Sequence, residues 1–73
     1  MTKNERINRD LQRLRDTGRL VLYDPEVWLL VIDTLPNGRY EVSIDHGDDL
    51  GPDCIIASWS AVVYEVTSFY TSL

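Results

Sequence analysis

The chain has 73 residues, of which 44% are hydrophobic and 26% charged, and its net charge at pH 7 is −5. We expect one small domain spanning residues 1–73, too apolar to be disordered and too small to bury a large core. The single cysteine excludes an intramolecular disulfide, and no apolar run approaches the ~20 residues of a membrane-spanning helix. These features indicate a cytoplasmic protein without a membrane span.

The charge is distributed unevenly along the chain. The first nineteen residues hold six basic and three acidic residues, a net charge of +3, whereas the remainder holds one basic and nine acidic residues, a net charge of −8. This division predicts a basic amphipathic helix over residues 1–18, followed by an acidic β-rich body over residues 19–73.

The predicted N-terminal helix has recognisable ends. Thr2 and Glu5 have the spacing of a capping box, and Gly18 stands where a left-handed residue would end the helix. Apolar residues recur at i, i+4 and i+7 and form one stripe, consisting of Ile7, Leu11 and Leu14.

A basic face lies beside this stripe, made of Lys3, Arg6, Arg9 and Arg13. Such arrays contact phosphates, so the alternative function is nucleic-acid binding through this helix, or contact with an acidic partner. The competing interpretation is a solvated face on which Glu5–Arg9 and Arg6–Asp10 pair at i, i+4.

Strands are predicted from Leu20 to Tyr23 and from Val27 to Thr34, although Asp24-Pro25-Glu26 also resembles the beginning of a helix. The segment 35–38, Leu-Pro-Asn-Gly, suits a three-residue hairpin loop with a bulge. That loop fixes the register of a returning strand over residues 40–45. The expected pairs are Leu35 with Arg39, Thr34 with Tyr40, Ile32 with Val42, and Leu30 with Ile44.

The C-terminal part of the chain is ambiguous. Residues 45–53 form a loop rich in Asp and Gly, and residues 54–57 are predicted to form a strand. From Ser58 onward the apolar residues fit helical spacing, but the Val, Thr and aromatic content favours strand. We therefore expect an α+β, mainly β fold, in which four or five short antiparallel strands follow the helix and close into a small SH3-like or Sm-like barrel. The alternative is a helix, a three-stranded antiparallel sheet and a C-terminal helix packed on it.

Catalytic, cofactor and metal sites are not expected. The chain has no nucleophile elbow and no phosphate-binding glycine loop, and Cys54 beside an apolar run is interpreted as a small buried residue. A metal-dependent enzyme using His46, Asp48 and Asp49 is the least favoured function, because the loop lacks the ligand pattern of a calcium site.

Two apolar features of the predicted hairpin raise the question of binding. Trp28 and Tyr40 could form an aromatic cage for a cation, but their place on the apolar face favours core packing. Val27, Leu29 and Val31 make the middle strand apolar on its second side as well, where one-sided burial would predict polar residues. Either the helix stripe or a partner chain must cover this side.

The leading hypothesis is a non-enzymatic, acidic protein-binding module. We expect a small inhibitor or adaptor that mimics nucleic acid and engages the basic surface of a nucleic-acid-binding protein. Its proposed contact residues form one acidic patch, namely Asp33, Glu41, Asp45, Asp48, Asp49 and Asp53. A homodimer is also expected, with an interface that includes either the helix stripe or Val27, Leu29 and Val31.

Overall fold

The computed structural model describes residues 2–25, 28–45, 47 and 51–72. In this part of the chain the elements are α1 (Lys3–Thr17), β1 (Arg19–Tyr23), β2 (Leu29–Thr34), β3 (Tyr40–Asp45), β4 (Asp53–Ala57) and α2 (Trp59–Thr71). The strands form one antiparallel sheet in the order β1-β2-β3-β4. Both helices pack on the same side of the sheet, which we call the inner face. Among the described residues, neither helix has the length and hydropathy that crossing a bilayer requires.

Helix α1 begins and ends where the sequence predicts. The Glu5 amide donates to Thr2 Oγ1 at 3.2 Å, and the Gly18 amide donates to the Leu14 carbonyl at 2.8 Å. Gly18 has φ of +82°, a conformation that other residues adopt at a cost. Ile7 and Leu14 are buried and Leu11 is partly buried in the core. The helix stripe is therefore an internal contact, and the prediction that it forms a dimer interface is wrong.

The predicted hairpin is confirmed in its register. Thr34 pairs with Tyr40, Ile32 with Val42, and Leu30 with Ile44. The Leu35 amide donates to the Arg39 carbonyl at 2.8 Å, and Gly38 adopts φ of +82° in the loop. Because β2 is a strand over Leu29–Thr34, the alternative of a helix running on from Asp24 is excluded for these residues.

The core lies between the inner face and the two helices. Five inward-pointing residues of β1 to β3 are buried together with three residues of α2 spaced at i, i+4 and i+7, while the strand-end residues Tyr40 and Ile44 are half-buried. The buried apolar set is Ile7, Leu14, Leu20, Leu22, Leu30, Ile32, Val42, Ala57, Val62, Val66 and Phe69.

Two parts of the fold prediction differ from the structure. The sheet is open, so the barrel is not confirmed. The alternative of a helix, a three-stranded antiparallel sheet and a C-terminal helix agrees better with the structure, except that the observed sheet has four strands. The prediction of strand after Ser58 is wrong, because α2 occupies Trp59–Thr71. Burial of Val62, Val66 and Phe69 against the sheet stabilises the helix more than β-branched composition disfavours it.

Threonine in α2 is accommodated by local hydrogen bonds. The Thr67 hydroxyl donates to the Val63 carbonyl at 2.8 Å, and the Thr71 hydroxyl donates to the Thr67 carbonyl at 2.9 Å. Each hydroxyl thus bonds the carbonyl one turn earlier, as helical threonine commonly does.

Candidate functional site

The side of the sheet opposite the helices, which we call the outer face, is the candidate site. Strand alternation places every second side chain on it. The pairing of the four strands aligns these residues in three rows across the sheet. The rows are Tyr23–Leu29–Asp45, Val21–Val31–Ser43–Cys54 and Arg19–Asp33–Glu41–Ile56.

The outer face exposes apolar side chains. Val21 is 50% exposed, Tyr23 69% and Ile56 56%, and the half-buried Leu29 and Val31 lie in the same rows. Antiparallel sheets with one solvated side usually present polar residues there. A contiguous apolar surface with a polar border is typical of a binding surface.

Carboxylates lie among these apolar residues. Asp33, Glu41 and Asp45 all belong to the outer face, whose one basic residue in the described strands is Arg19. Arg19 Nε approaches Asp33 Oδ1 at 3.7 Å, with both side chains substantially exposed. Such an exposed pair stabilises the fold little, and the face retains an excess of negative charge.

Cys54 is exposed on the outer face, so its predicted burial is wrong. Its thiol donates to Glu41 Oε1 at 3.4 Å. This hydrogen bond and the nearby carboxylate charge raise the pKa of the Cys54 thiol. A raised pKa lowers the thiolate fraction at neutral pH and with it the nucleophilicity of Cys54.

The predicted acidic patch is only partly brought together. Asp33, Glu41 and Asp45 share the outer face, whereas Asp53 pairs with Ile44 and so belongs to the inner side of the sheet edge. Asp48 and Asp49 lie outside the described residues, as does His46, so the metal-dependent enzyme stays a prediction that metal-binding calorimetry would test. Within the described ranges, no three His, Cys, Asp or Glu side chains cluster closely enough to hold a metal ion.

The predicted oligomer surface also lies on the outer face. Leu29 and Val31 belong to it, and Val27 lies outside the described residues. The helix stripe packs on the inner face instead, beside Leu30 and Ile32. The expectation that the stripe could cover Leu29 and Val31 is therefore wrong, and in the described chain no element covers them.

The basic face of α1 is exposed on the far side of the molecule. Lys3, Arg6, Arg9 and Arg13 are all exposed. Neither of the i, i+4 pairs expected from the sequence is a salt bridge in the structure, and Arg9 Nε lies instead 3.8 Å from Asp10 Oδ1. The helix layer and the outer face thus carry opposite charges on opposite sides of the sheet.

The two helices are joined by contacts that the sequence analysis missed. Asp10 is 3% exposed and accepts a hydrogen bond from the Tyr70 hydroxyl. Burial, and then this bond to Asp10, raise the pKa of Tyr70 to about 12. A signal for Asp10 was present, because it stands at i+3 from Ile7 and i−4 from Leu14, inside the apolar stripe.

The aromatic residues pack mainly in the core. Trp28 stacks on Phe69 at 5.7 Å between ring centroids, and Tyr40 lies against Trp59 at 5.6 Å. Trp28 and Tyr40 therefore have separate aromatic neighbours, which supports core packing over a cage formed by these two rings.

Comparison with known proteins identifies no relative of this chain, so the function is argued from the chemistry of these surfaces. No protein-family model matches the chain, and no curated protein or solved structure shows significant similarity to it.

Proposed function

We propose that the protein is a non-enzymatic protein-binding module that engages a basic partner surface through its outer face. The observation that carries this proposal is the set of apolar side chains on that face, the exposed Val21 and Ile56 and the half-buried Val31. Asp33 and Glu41 share the row of Ile56, and Asp45 lies in the row on the other side of Val31. Apolar burial would supply most of the affinity, and the carboxylates would steer and orient a basic partner.

The size of the face indicates how far such a contact extends. Strands ~4.8 Å apart with a rise of ~3.3 Å per residue give four strands of five or six residues a face of roughly 15 × 17 Å. Stable interfaces bury about 800 Å² on each partner. The contact must therefore extend past this face, and the exposed edge strand β4 adjoins it.

Carboxylates held on a sheet can occupy the positions on a nucleic-acid-binding protein that normally bind phosphates. This is the basis for proposing an inhibitor or adaptor that mimics nucleic acid, and it makes ionic strength a direct readout. Binding steered by exposed charges should weaken strongly between low and high salt, because the Debye length shortens.

The proposal can be tested by affinity capture with matched baits. We expect partners captured by the wild-type chain at low salt to be lost with Val31→Glu and weakened by the triple change Asp33→Asn, Glu41→Gln, Asp45→Asn. Arg13→Gln, on the opposite side of the molecule, is the control and should retain them. Circular dichroism confirms that each bait is folded. Capture that the outer-face changes leave intact would contradict the proposal.

Nucleic-acid binding through α1 is a second candidate, favoured by the four exposed cations of its basic face. Removing α1 would not test it, because Leu14 is fully buried and the body would lose its core. The suitable test is a gel shift at low salt with the full chain and with a triple variant, Arg6→Gln, Arg9→Gln and Arg13→Gln. Binding that disappears in the triple variant supports this candidate, and no binding by the wild type ends it.

The homodimer is a further proposal for the outer face, because Leu29 and Val31 lack a cover within the described chain. A two-fold contact would set the carboxylates of one copy against those of the other, which costs free energy. A contact between α1 of one copy and the outer face of the next would be head-to-tail, and such contacts form rings or filaments. Light scattering at micromolar concentration distinguishes monomer, dimer and larger assemblies.

A further inference from the structure

One end of the outer face contains an open pocket of about 190 Å³. It lies where β1 ends, β2 begins and β3 ends. Among the described residues its lining includes two aromatic residues, one leucine and two aspartates, namely Tyr23, Trp28, Leu29, Asp24 and Asp45.

Several contacts fix the walls of this pocket. Tyr23, Leu29 and Asp45 face one another across three paired strands. The Asp24 amide donates to the Trp28 carbonyl at 3.0 Å, which closes the connection between β1 and β2. The Gly47 amide donates to Asp45 Oδ1 at 2.8 Å and so orients that carboxylate. A site with walls held in place loses less entropy when it binds a ligand.

The charged residues in the described part of the pocket lining have one sign. The described lining contributes two carboxylates and no Lys or Arg side chain. The basic residue of the outer face, Arg19, lies at the opposite end of β1 and approaches Asp33. A cation entering the pocket would therefore meet no competing positive group in the described lining.

We propose that this pocket binds an arginine side chain of the basic partner. The planar guanidinium can stack on the exposed Tyr23 ring and donate to a carboxylate, while its aliphatic stem lies along Leu29. The volume corresponds to about six water molecules at ~30 Å³ each, enough for a side chain of this length but not for a folded element. The inference rests on the proposed function and specifies one of its contacts.

The direct test uses N-acetyl-arginine amide as the probe, with N-acetyl-citrulline amide as its uncharged counterpart. In an amide-resonance NMR titration of the full chain we expect shifts centred on Tyr23, Leu29 and Asp45, with a dissociation constant of about 1–10 mM for so small a ligand. Citrulline amide should bind at least about fivefold more weakly than arginine amide, because its planar group is uncharged. Lysine amide should bind about threefold more weakly, because its ammonium group is charged but not planar.

Matched variants locate the site within the outer face. Asp45→Asn and Tyr23→Ser should each raise the dissociation constant for arginine amide about three- to tenfold, because each removes one charged or aromatic contact. Glu41→Gln, on the same face but outside the pocket, should leave the dissociation constant unchanged. Equal binding of arginine and citrulline amides, or equal binding by Asp45→Asn and the wild type, overturns the inference.

The same variants separate this inference from the proposed function. If Val31→Glu abolishes partner capture while arginine amide fails to bind, the outer face is the binding surface and the pocket is not an arginine site. If arginine amide binds as expected but capture is indifferent to all outer-face changes, the pocket is a cation site and the proposed function is wrong.

Discussion

Strand β2 begins with two consecutive leucines that point to opposite faces of the sheet, and only one of them is buried in the core. Leu30 points to the inner face and is fully buried, whereas its neighbour Leu29 points to the outer face and is half-buried. The same contrast separates Ile32 from Val31. Burial in the core explains why the inner residues are apolar, but it does not explain why the outer ones are. The proposed partner contact would account for these outer residues.

The two edges of the sheet differ in a similar way. Strand β1 buries Leu20 and Leu22 under α1, while β4 buries only Ala57 and leaves Ile55 48% and Ile56 56% exposed. The helix layer therefore covers the β1 side more completely. An exposed edge strand with apolar residues on both sides can pair with another chain, so β4 is where a contact on the outer face can be extended.

The largest expected effect comes from the leucine pair in β2. Leu30→Ala should lower the free energy of unfolding by about 2–5 kcal/mol, because it opens a cavity in a filled core. Leu29→Ala, the same change one residue away, should cost less than about 1 kcal/mol. Chemical denaturation followed by circular dichroism measures both. Equal losses would mean that the outer face belongs to the folded core and would remove the case for a binding surface.

The parts of this fold that the sequence predicts are those set by local signals. Thr2, Glu5 and Gly18 mark the ends of α1, and the loop at residues 35–38 fixes the hairpin register. The C-terminal helix was missed because its residues individually favour strand, and only tertiary burial of one side makes the helix more stable.

The candidate site was predictable to a smaller extent. Alternation along the hairpin places Glu41 and Asp45 on one side of the sheet, but the sides that Asp53 and Cys54 take depend on how β4 pairs with β3. The alternation on β3 favours burial of the side that carries Tyr40, Val42 and Ile44, whereas β2 is apolar on both sides and does not itself decide which face the helices cover. The pocket at Tyr23 and Asp45 requires three strands to be aligned, which no local signal specifies.

The next effect concerns the polar contact inside the helix layer. Tyr70→Phe leaves the buried Asp10 without its hydroxyl donor and should lower the free energy of unfolding by about 1–3 kcal/mol. Tyr64→Phe, at a tyrosine that is 69% exposed, is the matched control and should cost almost nothing. Comparable losses in both variants would show that the bond to Asp10 contributes nothing.

The pH dependence of stability gives a second readout of this contact. Folding raises the pKa of Tyr70 from about 10 to about 12, so the folded state holds the phenol proton more tightly than the unfolded state does. This contribution to stability is fully present below pH 10 and is lost as the pH rises through 12. The Tyr70→Phe variant should not show this loss of stability at alkaline pH. An unchanged stability profile between pH 9 and 12 would contradict the assignment.

A smaller effect is expected at the junction between α1 and the sheet. Gly18→Ala forces a side chain into the left-handed region and should cost about 1 kcal/mol. The added Cβ would lie 4.0 Å from Thr34 Oγ1, an ordinary contact, so the cost is conformational rather than steric. Gly18→Asn should cost less, because Asn tolerates this conformation. Thermal unfolding should rank the stabilities as wild type, then Gly18→Asn, then Gly18→Ala. A Gly18→Ala variant as stable as the wild type would contradict this ranking.

The smallest effect tests the border of the helix layer, where Arg15 places its guanidinium carbon 4.2 Å from the centroid of the Trp59 ring. Arg15→Gln should lower the free energy of unfolding by about 0.5–1 kcal/mol, and Arg13→Gln, an exposed change on the same helix, should leave it nearly unchanged. Denaturation followed by tryptophan fluorescence measures both variants. If they behave alike, the cation–π contact contributes no measurable stability, and Arg15 belongs with the basic face as a residue available to a partner. If Arg15→Gln alone is destabilised, Arg15 serves the fold, and only the four residues of the basic face remain candidates for the proposed binding through α1.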